Sequence, residues 1–299
     1  MRMPAPRRTV AALAAASGIA ALGLGAGPAA AADTGTTTTK APLRYVALGD
    51  SYSAGSGVLP LDPGAPLLCA RTSLNYPHLL AASTGARLTD VTCGGAQTKD
   101  FTTSQYPGVA PQFDALKGDT DLVTLTIGGN DNNTFINAIL ACGSAGIVTG
   151  GQGSPCKNTY GNTFKDQIES KTYPAIKASL HQIKTRSPKA RVAVLGYPWI
   201  TPAKAVPGCF AKMPIAQGDV PYLRDLQTHL NSAAQRAAKE TGTTFVDMAA
   251  ASDAHDACRP AGQRWIEPVL FGTNFIPVHP NARGEAGMAN EAAKALNLS

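Results

Sequence analysis

Five short apolar, β-branched runs punctuate the chain, at residues 43–48, 86–91, 121–127, 190–196 and 243–248. Each is short enough to be a strand buried on both faces. Between them lie segments that can form helices, at 75–84, 108–116, 163–186 and 220–241, and a last helix is expected over 281–296. The clearest is 220–241, where Leu223, Leu226, Leu230, Ala233, Ala234 and Ala237 fall on one stripe and Arg224, Asp225, Gln227 and Lys239 fall elsewhere. Strands that alternate with helices need crossover connections, which makes the expected class α/β: a three-layer, doubly wound (flavodoxin-like) sheet of five parallel strands. In such a fold the loops leaving the carboxyl ends of the strands gather at one edge, where ligands bind.

The first 32 residues have a different character. Arg2, Arg7 and Arg8 precede an apolar, alanine-rich run from Val10 to about Ala32 that ends in small residues, the pattern of a cleaved secretory signal peptide. Gly18, Gly23, Gly25, Gly27 and Pro28 dilute the run, which argues against a retained anchor, and no other stretch is long enough to span a bilayer. The pair Arg7-Arg8 leaves a twin-arginine export route open. Cleavage removes three arginines and no acid, so the formal charge falls from +6 to about +3. No lysine or arginine run with interleaved aromatics appears, and no nucleic-acid partner is expected. Residues 33–41, with their threonine-rich stretch, are expected to be a disordered arm, and 42–299 a single domain.

Six cysteines in an exported chain predict three disulfides. Every pairing is open from sequence alone, and the order along the chain favours the local ones: Cys69 with Cys93, Cys142 with Cys156, Cys209 with Cys258. No Cys-x-x-Cys or Cys-x-x-His spacing supports zinc, and neither a metal nor a cofactor is expected. The segment from Cys142 to Gly161 is expected to be a glycine-rich loop pinned by its disulfide.

The first strand runs into Gly49, Asp50 and Ser51 and then a glycine-punctuated turn, which delivers a serine to a strand-to-helix corner close to amide donors and the positive end of a helix dipole. Ser51 also suits a helix cap. A serine becomes a nucleophile only when a base takes its proton. His181 and His229 lie inside expected helices and His78 near the start of another, whereas His279 sits in a proline-bounded loop, Phe275-Ile-Pro-Val-His-Pro-Asn-Ala-Arg-Gly284. Ester cleavage further needs donors for an oxyanion. The second strand ends in Cys93-Gly-Gly-Ala, and Asn130 follows two glycines behind the third.

The ordered set Gly-Asp-Ser51, Gly95, Gly-Gly-Asn130-Asp and Val-His279-Pro resembles the four sequence blocks of the SGNH, or GDSL, hydrolases. The long six-cysteine form is most similar to the secreted, Streptomyces-type extracellular lipases and esterases of that family. The resemblance implies an SGNH hydrolase fold, Ser51 as nucleophile and His279 as base. It further implies an oxyanion hole made of the Ser51 amide, the Gly95 amide and the Asn130 side chain; block alignment favours Gly95 over Gly94. One position departs from the pattern. Family members commonly place an aspartate three residues before the histidine, and here that residue is Ile276. A main-chain carbonyl at Ile276 is therefore expected to accept the histidine Nδ1 proton and leave a Ser-His dyad, the alternative being a carboxylate from the same loop, Asp253, Asp256 or Glu267.

The expected function is a secreted serine ester hydrolase that cleaves fatty acyl esters, a triacylglycerol lipase or carboxylesterase, through an acyl-serine intermediate. A phospholipase, a carbohydrate acetylesterase and a non-catalytic extracellular binding module are the alternatives. The partner is a lipid or other ester, and the protein is expected to be a monomer. Leu67, Leu68, Phe135, Ile136, Trp199, Ile200, Phe210, Met213, Leu270 and Phe271 are candidates for an apolar acyl surface, although for most of them the core is the favoured place.

Overall fold

A computed structural model describes residues 41–298. The expected signal peptide over 1–32 and nearly all of the expected arm over 33–41 lie outside the described residues. The five apolar runs become strands β1 (Arg44–Gly49), β2 (Arg87–Asp90), β3 (Leu122–Thr126), β4 (Arg191–Leu195) and β5 (Thr244–Val246). They form one sheet in the order β2-β1-β3-β4-β5, every pair parallel.

Alternation along each strand divides the core. Tyr45 and Ala47 of β1, Leu122 of β3, and Ala193 and Leu195 of β4 join one apolar cluster. Val46 and Leu48, Val123 and Leu125, and Val192 and Val194, the intervening residues, join a second cluster. The sheet therefore buries both faces, as a parallel sheet must. Helices α2 (Tyr76–Thr84) and α9 (Ala282–Ala295) pack on one another, as do α6 (Tyr173–Arg186) and α7 (Val220–Thr241). All six apolar residues of the α7 stripe are buried.

Two expected elements are corrected. Residues 108–116 are not an α-helix, because Gly108 takes φ +81° and Pro111 precedes a single 3-10 turn, Gln112–Ala115. That turn serves β1 instead: the Gln112 carboxamide accepts from the Gly49 amide at 2.7 Å and donates to the Gly49 carbonyl at 3.0 Å. Residues 142–161 are not a loop either. Cys142 lies inside helix α3 (Thr134–Val148), and Cys156 lies in helix α4 (Pro155–Tyr160). Gly146 belongs to α3 because a Cβ there would stand 2.3 Å from the Pro214 carbonyl oxygen; it is a packing glycine. The segment 163–186 is helical but contains a π turn, Ile168–Thr172, between α5 (Thr163–Gln167) and α6.

The disulfides are Cys69–Cys93, Cys142–Cys156 and Cys209–Cys258. Among the described residues no helix is long and apolar enough to cross a membrane.

Candidate active site

The corner at the end of β1 is built from three consecutive requirements. Gly49 adopts φ +124°, and a Cβ there would stand 2.5 Å from the Thr126 carbonyl oxygen, so the close approach to β3 excludes any side chain. Asp50 caps the short helix α1 (Ser51–Ala54), its Oδ1 accepting from the Tyr52 amide at 3.0 Å. Ser51 is then the first helical residue, 8% exposed, where an amide has no partner within the helix.

The Asp50 carboxylate also accepts from the Thr126 hydroxyl at 2.7 Å and from the Tyr197 hydroxyl, which itself accepts from the Gly129 amide at 2.9 Å. One buried carboxylate thus ties together the ends of β1, β3 and β4. Burial pushes its pKa up to about 6, against the lowering effect of the hydrogen bonds from Tyr197, Thr126 and Tyr52.

His279 meets this corner from the loop that precedes α9. Its Nε2 is 2.7 Å from Ser51 Oγ, and its Nδ1 is 2.8 Å from the Pro277 carbonyl oxygen. A carbonyl can only accept, so Nδ1 carries the proton and Nε2 is left to accept from the serine hydroxyl. The accepting carbonyl is Pro277's, not that of Ile276. The reason is local: Val278 sits at φ +61°, a conformation rare for a β-branched residue, and the tight turn it makes returns the Pro277 carbonyl to the ring. Val278 is held there from both sides. Its amide donates to the Glu267 carbonyl at 2.8 Å, and its carbonyl accepts from the Tyr52 hydroxyl at 2.7 Å. Burial lowers the His279 pKa below its ordinary value, and the bond to Pro277 works in the opposite direction.

None of the three loop carboxylates hydrogen-bonds to the His279 ring. Asp253 is exposed and pairs with Arg224 at 3.5 Å; Asp256 pairs with Arg259 at 3.0 Å. Glu267 is buried, bound to Arg264 at 2.6 Å, to the Asn281 amide at 2.8 Å and to the Thr273 amide at 2.7 Å. Burial alone would raise its pKa, but these donors hold it below the usual carboxylate range. Its influence on the histidine runs through the main chain, where the Glu267 amide donates to the His279 carbonyl at 2.9 Å.

Two strand ends supply donors. The Gly94 amide is engaged with the Cys69 carbonyl at 2.8 Å, whereas the Gly95 amide meets no acceptor among the described residues and remains available. Asn130 uses one N–H of its carboxamide on the Ala96 carbonyl at 3.2 Å, which leaves the second free. Asp131 binds the Thr98 amide at 2.8 Å and the Thr98 hydroxyl at 2.9 Å, so the two loops are stitched together beside these donors.

A cavity of about 190 Å³ opens beside Ser51 and His279, lined by Asn130, Phe135, Ile136, Ile139, Leu140, Ile200, Leu230 and Val269 among others. Of the expected acyl surface, Phe135, Ile136 and Ile200 line it. Trp199 and Met213 are buried core, and Leu67, Leu68, Phe210, Leu270 and Phe271 are exposed outside the lining. Tyr52, Tyr197 and Gln112 escaped sequence reasoning. For Tyr197 a signal existed, an unusual Tyr-Pro-Trp-Ile-Thr-Pro turn at the end of the fourth strand.

Residues 47–286 match the GDSL-like lipase/acylhydrolase family. Over 298 residues the chain is 63% identical to Lipase 2 of Streptomyces coelicolor, with 100% of both chains covered. Among solved structures, phospholipase A1 from Streptomyces albidoflavus NA297 is similar with a TM-score of 0.69 and 32% identity, over 86% of this chain and 99% of that one. An extracellular lipase from Streptomyces rimosus has a TM-score of 0.68 at 28% identity, over 85% and 99% of the two chains. A parallel 2-1-3-4-5 sheet, a serine at its switch point and these likenesses lead to one assignment: the chain is an ester hydrolase and belongs to the GDSL-like lipase/acylhydrolase family.

Proposed function

We propose that the protein is a secreted, monomeric serine hydrolase of fatty acyl esters that works through an acyl-serine intermediate, with Ser51 as nucleophile and His279 as its base. The observation that carries this reading is the 2.7 Å contact between Ser51 Oγ and an imidazole whose other nitrogen is committed to a carbonyl, beside an apolar cavity. His279 Nε2 takes the hydroxyl proton as Oγ attacks the ester carbonyl carbon. The oxyanion is held by the Ser51 and Gly95 amides and the free N–H of Asn130. As the tetrahedral intermediate collapses, His279 returns the proton to the leaving alcohol; the same nitrogen then deprotonates the water that releases the fatty acid. The Pro277 carbonyl fixes the tautomer and orientation of the ring, the part of a triad's third member that does not need a charge.

Secretion is supported by the leader-like first 32 residues and by likeness to an extracellular relative. Phospholipids are a second substrate class, favoured by likeness to a phospholipase A1. An organophosphonate is expected to label Ser51 stoichiometrically, and rates on dissolved esters to rise from acetyl to longer chains, with Ser51→Ala inert in both assays. An unlabelled serine would favour the binding module, and a maximum at acetyl the carbohydrate esterase.

A further inference from the structure

The apolar lining of the cavity does not stop at its mouth. Helix α3 contains no charged residue over its length, and its Ile136 and Leu140 both line the cavity and face solvent, Leu140 at 61% exposure. Seven residues further along the same stripe, Ile147 is 64% exposed. Just beyond α3 the Phe210 ring covers Gly151, 2.9 Å from where a Cβ would stand, and Phe210 is itself partly exposed. From there the surface continues into the loop that delivers His279. The Leu270 amide donates to the Lys212 carbonyl at 2.9 Å, and the Val269 amide meets Met213 Sδ at 3.4 Å. Val269 lines the cavity, and its neighbour Phe271 is 78% exposed. Residues 268–278 carry no charge either, in a chain where 15% of residues are charged. Two uncharged segments thus flank the mouth, joined by contacts through residues 210–213, and soluble proteins seldom leave such a face open without a use for it.

We propose that this face docks on a zwitterionic lipid surface from which the cavity draws its substrate, an inference that rests on the fatty acyl ester reading. A second copy of the chain or a protein partner seated on this rim would stopper the cavity. A lipid surface covers the rim and feeds the cavity in the same contact. Neither segment offers a cation, and the Lys212 ammonium between them is turned onto the Cys258 carbonyl at 2.9 Å, so apolar burial supplies the attraction.

The test uses the full mature chain with Ser51→Ala, so that vesicles survive, and phosphatidylcholine vesicles in a sedimentation assay. The probe variant is Ile147→Asp with Phe271→Asp. Both side chains lie outside the cavity lining, and Asp tolerates the φ of +62° at position 271. The double substitution is expected to weaken vesicle partition about tenfold or more, as an apolar contact replaced by charge requires. On the Ser51 background it should leave hydrolysis of dissolved p-nitrophenyl acetate within about twofold. Absence of vesicle binding by the parent, equal binding by the double variant, or a dimer in gel filtration that the double variant dissolves would each overturn the proposal. Loss of vesicle binding alone would leave the esterase reading standing, while failure to hydrolyse the dissolved ester would remove that reading whatever the vesicles show.

Discussion

At the scale of single residues the site is an arrangement of committed and uncommitted hydrogen-bonding groups. Pro277 commits His279 Nδ1, so the neutral ring is the reactive form, and burial lowers the pH at which that form is lost. A group whose pKa is lowered stays neutral to lower pH. The acid limb of the kcat/KM profile should therefore fall below pH 6.5, the ordinary histidine value, and a limb above that value would contradict the desolvated ring. Asn130→Ala should lower kcat by about 10²–10³ with little change in KM, the usual loss on removing one oxyanion donor. A change confined to KM would reassign Asn130 to ground-state binding. Ser51 and Asn130 were legible in the sequence because each follows closely on a strand end, where the chain itself dictates position, and His279 because it sits in a proline-bounded loop rather than inside a helix. Block alignment favoured Gly95 over Gly94 without a physical reason, and sequence did not separate Ile276 from Pro277. Each choice turns on one carbonyl: Cys69's, which occupies the Gly94 amide, and Pro277's, which the positive φ of Val278 brings to the ring.

Among elements, the serine corner and the histidine loop are assembled independently and then joined. The join is the Tyr52 hydroxyl, which reaches from α1 to the Val278 carbonyl, and the buried Arg264–Glu267 pair, which holds the loop from behind. Glu267→Gln removes the charge that neutralises a buried guanidinium, and its expected cost is about 3 kcal/mol or more of stability, measured by urea unfolding. Activity should fall with it, because the loop loses its anchor. The acid limb of the pH profile should stay in place, since Glu267 reaches the ring only through main-chain bonds; a displaced limb would make it a true third member of a triad. The Tyr52–Val278 link was not visible in the sequence, because it spans 226 residues and follows from no local pattern. The misread elements share that cause. Gly146 looked like loop composition and is instead a point of close contact with Pro214, and 108–116 looked helical although Gly108 and Pro111 yield only one turn, which clamps Gly49. The strands were read well because short, β-branched apolar runs have few alternatives once both faces must be buried.

For the whole molecule, the question is what keeps long loops in place on the carboxyl edge of a sheet only five strands wide. Cys209–Cys258 joins the loop after β4 to the loop after β5, and Cys142–Cys156 joins α3 to α4, so two of the three disulfides staple segments that β-pairing does not reach. Their sequence separations differ, 49 residues against 14, and the chain-entropy cost of an open loop grows with its length. Replacing Cys209 and Cys258 by Ala should therefore destabilise the protein by about 4 kcal/mol, and replacing Cys142 and Cys156 by about 3 kcal/mol, in urea unfolding. The two losses should also differ in their effect on activity. The first frees the segment carrying Met213, Val269 and the histidine loop, so it should lower activity on dissolved esters below the temperature of unfolding. The second frees α4 from the middle of α3, two residues past the cavity-lining Leu140, without touching the histidine loop, and should lower that activity less than the first. Equal effects of both on activity would mean that the loops are held by the core alone and that the staples act only on the unfolded chain.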